Sequence, residues 1–192
     1  MENEKVILPE VQQIADAINA AVKNAGVTVS INPSPAEQHS LLLFPTKARE
    51  CAQWLKDESP WQLDYLSNVS GNDWPEDAIT KQTPKKPVKD DGEKTMHPCL
   101  EAVYHLYSIR QSLGPVIIRM RTENRSDKVE LPSLTPIWRS AELQEREIFD
   151  LYGIHFEGHP DLRRLLMWDE FEDHPMRRDY VEPDDYDYEP TP

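Results

Sequence analysis

The stretch from Ser140 to Tyr180 constrains this chain more than any other part of it. Within it Phe149, Tyr152, Ile154, Phe156, Leu162, Leu165, Leu166, Met167 and Trp168 crowd into twenty residues. Interleaved with them stand Glu145, Arg146, Glu147, Asp150, Arg163, Arg164, Arg177 and Arg178. A free surface does not need so many large apolar groups, and a simple core does not need so many charges. An interface needs both, because it must bury area and also fix one orientation.

The chain is 192 residues long, enough for one domain with a core. Seventeen prolines against six glycines favour a compact body plus extended, stiffened segments lying on something else. No apolar run is long enough to span a membrane, and the opening MENEKVILPE lacks the apolar centre of a secretion signal. Cys51 and Cys99 are far apart, form no metal-ligand spacing, and read as buried thiols rather than a disulfide. The formal charge of −14 repels phosphate backbones and anionic lipid heads, which argues against nucleic acid as a partner. The last twelve residues hold five acids and no base, whereas arginine gathers at 163, 164, 177 and 178.

Apolar spacing predicts a first helix over Pro9–Ala25, with Pro9 in its first turn and Gly26 at its stop. VTVSI and HSLLLF read as short strands joined by a turn over Asn32–Glu37. Thr46 is the expected cap of a second helix carrying Cys51, Trp54 and Leu55 on one face. Gly71–His97, proline-rich and poor in apolar residues, reads as a mobile loop or hairpin insertion. Strands are expected over Leu100–Ile109 and VIIRMRT, paired antiparallel. Leu131–Ile137 reads as extended or turned. Ser140 is the expected cap of a last helix that Gly153 ends. The expected fold is α+β: a two-layer domain with a mixed or mainly antiparallel sheet and packed helices, plus an extended C-terminal arm. Residues 1–153 form the body and 154–192 the arm with its acidic tail. Because the arm has no ladder of its own, a partner is the natural supplier of its backbone hydrogen bonds.

The segment EREIFDLYGIHFEGHPDLRRLL closely resembles the signature of the 30 kDa subunit family of proton-pumping NADH-quinone oxidoreductase, respiratory complex I, known in bacteria as the C subunit. WQLDYLSNVSGNDWP, LEAVYHLYSIR, VIIRMR and LPSLTPIWRSAELQEREIFDLYGI follow in that family's order, so the resemblance covers roughly Trp61 to Tyr180. PMRRDY resembles the family's PLRKDY-type end, whereas Trp168 stands where the family commonly has proline. The resemblance implies a non-catalytic peripheral-arm subunit that carries no cofactor and braces the quinone-side module by clasping the 49 kDa subunit, hereafter the quinone-side subunit. It would also contact the small iron–sulfur subunits. FMN and the iron–sulfur clusters would sit in partner subunits. The chain would be peripheral on the cytoplasmic face of a bacterial inner membrane, held there by protein. The family usually passes residues 71–97 with a shorter, variable connection, which would put the insertion on a free surface.

No glycine-rich phosphate loop and no cysteine cluster is present, so nucleotide and iron–sulfur sites lack support in the sequence. Two rivals remain. One is a free metal-dependent enzyme using His155, His159 and His174 with Glu145, Glu147 and Asp150; the other is an unrelated acidic adaptor. Glu145–Asp150 reads either as the solvated side of a helix, with Arg146–Asp150 as a weak pair, or as a set that bonds to the following arm; the second is favoured. Gly153 and Gly158 would permit backbone turns, and His159-Pro160 and His174-Pro175 would form two matching corners. Arg163 and Arg164, like Arg177, Arg178 and Asp179, would anchor to a partner or remain a solvated set. Trp168 would insert into a partner or cover an edge of its own domain.

Overall fold

The computed structural model describes residues 11–30, 38–82 and 97–182. Helix α1 (Val11–Ala21) is followed by strands β1 (Thr28–Ser30) and β2 (Ser40–Leu43), helix α2 (Pro45–Asp57), strand β3 (Tyr65–Trp74) and helix α3 (Glu76–Gln82). Then come β4 (Cys99–Ser108), β5 (Leu113–Arg121), β6 (Val129–Pro132), helix α4 (Ala141–Tyr152) and β7 (Ile154–Glu157). Five strands form one sheet in the order β1-β2-β5-β4-β3. All neighbours run antiparallel except β2 and β5, which are parallel. A two-stranded parallel sheet joins β6 to β7. The fold is therefore mixed α+β with a mainly antiparallel sheet, packed helices and a C-terminal extension, as its patterning indicates.

Alternation builds the core. Ala102, Tyr104 and Leu106 of β4, Val116, Ile118 and Met120 of β5, and Leu41 and Leu43 of β2 turn to the helices and are buried. Ile14, Ala15 and Ile18 of α1, Ala48, Cys51, Ala52 and Leu55 of α2, and Ile148 of α4 meet them. Each such Leu or Ile removed from water contributes about 1.5–3 kcal/mol. Both cysteines are free and buried.

Several elements depart from expectation. Helix α1 ends at Ala21, short of Ala25, while Pro9 and the turn over Asn32–Glu37 lie outside the described residues. Thr46 does not cap α2. Phe44 holds the N-cap position and Pro45 opens the helix, its fixed φ suiting a turn whose N–H groups are unpaired anyway. Ser140 precedes α4 without a capping bond, because its Oγ donates to the carbonyl of Leu66 at 2.9 Å. Residues 71–74 are not part of a loop. They complete β3, pairing Gly71, Asn72, Asp73 and Trp74 with Ala102, Glu101, Leu100 and Cys99. Helix α3 follows directly, and residues 83–96 lie outside the described residues. The body also extends past Gly153: Ile154 and Phe156 of β7 are buried in the core.

The sheet face turned away from the core is held by charge. Glu101, fully buried, accepts from Arg119 at 2.9 Å, Arg121 at 2.8 Å, the Trp74 indole at 3.0 Å and Asn72 at 3.1 Å. Burial alone would raise its pKa; the two guanidinium groups outweigh that and hold it below the usual range.

Candidate functional site

Helix α4 carries the chemistry because its faces differ. Residues 142, 146 and 150, four apart, form one stripe, and the arm lies along it. His159 bonds through Nε2 to the carbonyl of Glu142 at 2.8 Å. Its Nδ1 accepts from the Asp161 N–H, so Nε2 carries the proton. Arg146, nearly buried, donates to the carbonyls of Arg163 at 3.1 Å and Arg164 at 3.0 Å.

Asp150, fully buried, is the main anchor. Its Oδ2 accepts three successive backbone N–H groups, from Leu165 at 3.0 Å, Leu166 at 2.7 Å and Met167 at 2.9 Å. Arg164 Nη1 donates to its Oδ1 at 2.6 Å. Burial pushes this carboxyl up, but the bonds from Met167, Leu166, Arg164 and Leu165 together hold it below the ordinary carboxylate range. The Arg164 guanidinium also lies over the Phe171 ring, 5.4 Å from its centroid.

The arm also closes the C-terminal end of α4, where carbonyls lack helical partners. His174 Nδ1 meets the carbonyl of Asp150 at 3.0 Å, the Met176 N–H donates to Leu151 at 3.1 Å, and Arg177 Nε donates to Tyr152 at 2.8 Å. Gly153 caps the helix at φ 77°, and a Cβ there would fall on His174 and stand 2.7 Å from Arg177 Nη2. Only glycine permits both the left-handed turn and this approach. Burial, then nearby Arg177 and Arg164, depress the His174 pKa, against the pull of its bond to the Asp150 carbonyl.

Further along, Arg177 Nη1 pairs with Asp127 at 2.6 Å. Arg125 grips Asp73 with both arms of its fork, at 2.6 and 2.7 Å, and reaches Asp179 at 2.9 Å. The Arg178 N–H donates to Asp73 at 2.8 Å, while its side chain is exposed. The Asp73–Arg125 pair is the part sequence reasoning missed. Its members stand 52 residues apart, and no local pattern joins them.

The neighbours in EREIFD divide. Arg146 and Asp150 hold the arm, but Glu145 and Glu147 do not. Glu145 is buried on the core side, accepting from Tyr104 Oη at 3.0 Å, Ser133 Oγ at 2.5 Å, Leu134 N at 2.8 Å and Thr135 Oγ1 at 3.1 Å. With no cation beside it, burial raises its pKa despite these donors. Glu147 is exposed. The arginine pair divides too: Arg164 is anchored on Asp150, whereas Arg163 is exposed and pairs with Asp161 at 3.0 Å. Pro160 is exposed at its corner. Trp168, 51% exposed, packs edge-on against Phe171 at 4.7 Å. Leu165 and Leu166, just before it in sequence, are exposed, and so is Met176.

His155 faces Glu130 at 3.6 Å, and the three histidines of the metal reading have different partners. Among the described residues no group of three or more His, Cys, Asp or Glu is placed to hold a metal ion. None of their helices is long and apolar enough to cross a membrane. What the arrangement offers is a backbone strap clasped by its own domain, presenting apolar side chains outward.

Comparison with known proteins places the chain in a family. The family described as "Respiratory-chain NADH dehydrogenase, 30 Kd subunit" matches residues 42–186. The C subunit of NADH-quinone oxidoreductase from Coxiella burnetii is 35% identical over 185 residues, covering 90% of this chain and 79% of that one. The C/D subunit of NADH-quinone oxidoreductase from Phocaeicola vulgatus is 36% identical over 130 residues, 68% of this chain but only 21% of that much longer polypeptide. A trypsin-resistant fragment (1-134) of Nqo5 shares the fold, with a TM-score of 0.52, 23% identity, and coverage of 79% of this chain and 98% of that one. The chain belongs to the family of the 30 kDa subunit of respiratory-chain NADH dehydrogenase, which is that of the C subunit of NADH-quinone oxidoreductases.

Proposed function

We propose that this chain is a non-catalytic subunit of the peripheral arm of a proton-translocating NADH-quinone oxidoreductase, where it braces the quinone-side module by binding the quinone-side subunit. Family membership supports a place in the peripheral arm of that complex. The observation that carries the finer reading is the exposed row of Leu165, Leu166 and Trp168 on a strap whose backbone is already bonded to α4. Apolar groups held rigidly in water are suited to a partner. The C/D relative supports a lasting association too, since there a region like this chain is one part of a longer polypeptide. Arg146, Asp150, Gly153 and His159 set the strap's place. Trp168, Arg163 and Arg178, exposed on it, would face the partner. In this reading FMN and the iron–sulfur clusters lie in other subunits, including the small iron–sulfur subunits this chain contacts. It sits on the cytoplasmic side of the bacterial inner membrane through protein contacts alone.

The test is affinity purification of the tagged chain from its native membranes, with identification and quantification of the co-purifying chains. The quinone-side subunit is expected in equimolar amount. Recovery of the chain with partners that include no quinone-oxidoreductase subunit overturns the proposal.

A further inference from the structure

We propose that the arm surface around Leu166 and Trp168 docks onto a protein face whose apolar hollow is ringed by lysine and arginine. This inference rests on the reading of the chain as one that binds the quinone-side subunit, and it assigns the chemistry of the face that receives it.

Three observations carry it. The first is apolar exposure on a fixed backbone. Leu166 is 61% and Trp168 51% exposed, yet the N–H groups of residues 165–167 are all bonded to Asp150. A partner strand therefore finds no free donors there, and recognition falls to side chains. The second is an uncompensated rim. Asp169, Glu170 and Glu172 follow Trp168 closely, are all exposed, and form no ion pair within 4 Å among the described residues. Asp169 feels Arg163 only at longer range.

The third observation is the contrast with the rest of the arm. Asp161 is matched by Arg163 and Arg146, Asp179 by Arg125, and Asp150 by Arg164. The chain thus pairs Asp161 before the Trp168 corner and Asp179 after it, and leaves Asp169, Glu170 and Glu172 at the corner without a cation within 4 Å among the described residues. Three like charges beside a tryptophan repel one another and any acidic face, so the surface excludes wrong partners as well as attracting a basic one. An apolar centre within a charged rim is also the usual division of a protein interface.

Binding to the purified quinone-side subunit tests this by association and dissociation rates. The proteins compared are the full chain, an Asp169→Asn/Glu170→Gln/Glu172→Gln variant, Trp168→Ala, and Leu166→Ala. The neutralised variant is expected to associate about tenfold more slowly at about 50 mM salt, with the gap closing at about 300 mM as the screening length shrinks. Trp168→Ala and Leu166→Ala are expected to dissociate faster, Trp168→Ala by about tenfold or more. Leu166→Ala keeps the Trp168–Phe171 contact, so it separates lost docking from a loosened arm, and melting temperatures check folding. If the neutralised variant associates as fast as the native chain, or faster, the basic rim is refuted while the subunit reading stands. If Leu166→Ala and Trp168→Ala both bind unchanged, the surface is refuted altogether. If the native chain does not bind the quinone-side subunit, the parent proposal fails and this one with it.

Discussion

Replacing Asp150 by asparagine should unseat the arm and leave the sheet intact. The carboxylate is fully buried and receives three backbone N–H groups and Arg164. The Arg164 side chain is only 13% exposed, so solvent screens the pair little. Breaking a buried pair by removing one partner costs about 3–5 kcal/mol, because a charge is left uncompensated. An asparagine adds its own N–H₂ where only acceptors fit. At about 1.4 kcal/mol per decade, exchange of the Leu165, Leu166 and Met167 amides should accelerate by about two to three and a half decades. If the arm opens at lower cost than that, these amides should exchange as in a free peptide. Hydrogen exchange read by mass spectrometry separates this from global unfolding, since amides of Tyr104 and Ile118 in β4 and β5 should change little. Adding Arg164→Met should cost less than the sum of the two single changes, by at least about 1.5 kcal/mol, because it removes the stranded guanidinium. Exchange over 163–168 within about threefold of the native chain would refute the anchoring role of Asp150.

Other perturbations follow from single contacts. His174, with its pKa depressed below the ordinary 6.5, stabilises the closed arm most above about pH 6.5. That stability is lost as pH falls toward the folded value, so arm exchange should quicken on acidification and His174→Gln should flatten the slope. In Gly71→Ala the new Cβ would lie 2.5 Å from the Tyr152 ring, forcing α4 off β3; a cost of about 1–3 kcal/mol is expected by chemical denaturation. Glu145 has a raised pKa, so the fold loses stability as pH climbs through its titration, and Glu145→Gln should remove that dependence. Glu145→Ala should instead cost about 3 kcal/mol, by stranding Tyr104 Oη and the Leu134 N–H in the interior.

Much of the body is legible in the sequence where periodicity carries it. The alternation of β4 and β5 and the stop at Gly153 are explicit in the residues. Strand β3 is not, because Asn72, Asp73 and Trp74 serve Glu101 and Arg125, and Gly71 leaves room for Tyr152. Those polar residues read as loop since their partners, on β4 and beyond, are remote in sequence. In β7, Ile154 and Phe156 alternate with His155 and Glu157 as a half-buried strand should. Four residues between two glycines are too short for that signal to outweigh its flanks. EREIFD is legible as one ordered cluster but not as distinct roles. Successive helical residues point about 100° apart, so Glu145 joins the core, Arg146 the arm and Glu147 the solvent.

The arm shows most clearly why composition alone could not assign its bonds. Proline and lost periodicity imply a segment without a ladder, and such a backbone needs donors and acceptors from somewhere. In the structure α4 and strand β3 supply many of them: Asp150 for three N–H groups, Arg146 for two carbonyls, and Asp73 for the Arg178 N–H. A partner is then left mainly with side chains to recognise. Adjacent residues fall into two classes on this basis. Loss of Arg164 or Asp150 disturbs the chain's own fold before any docking, whereas loss of Arg163 or Leu166 spares the clasp. Arg163→Ala alone should therefore leave the melting curve of the isolated chain in place, and Arg164→Ala alone should lower it. Equal melting shifts for these two neighbours would mean that the guanidinium on Asp150 contributes no more than the one in water.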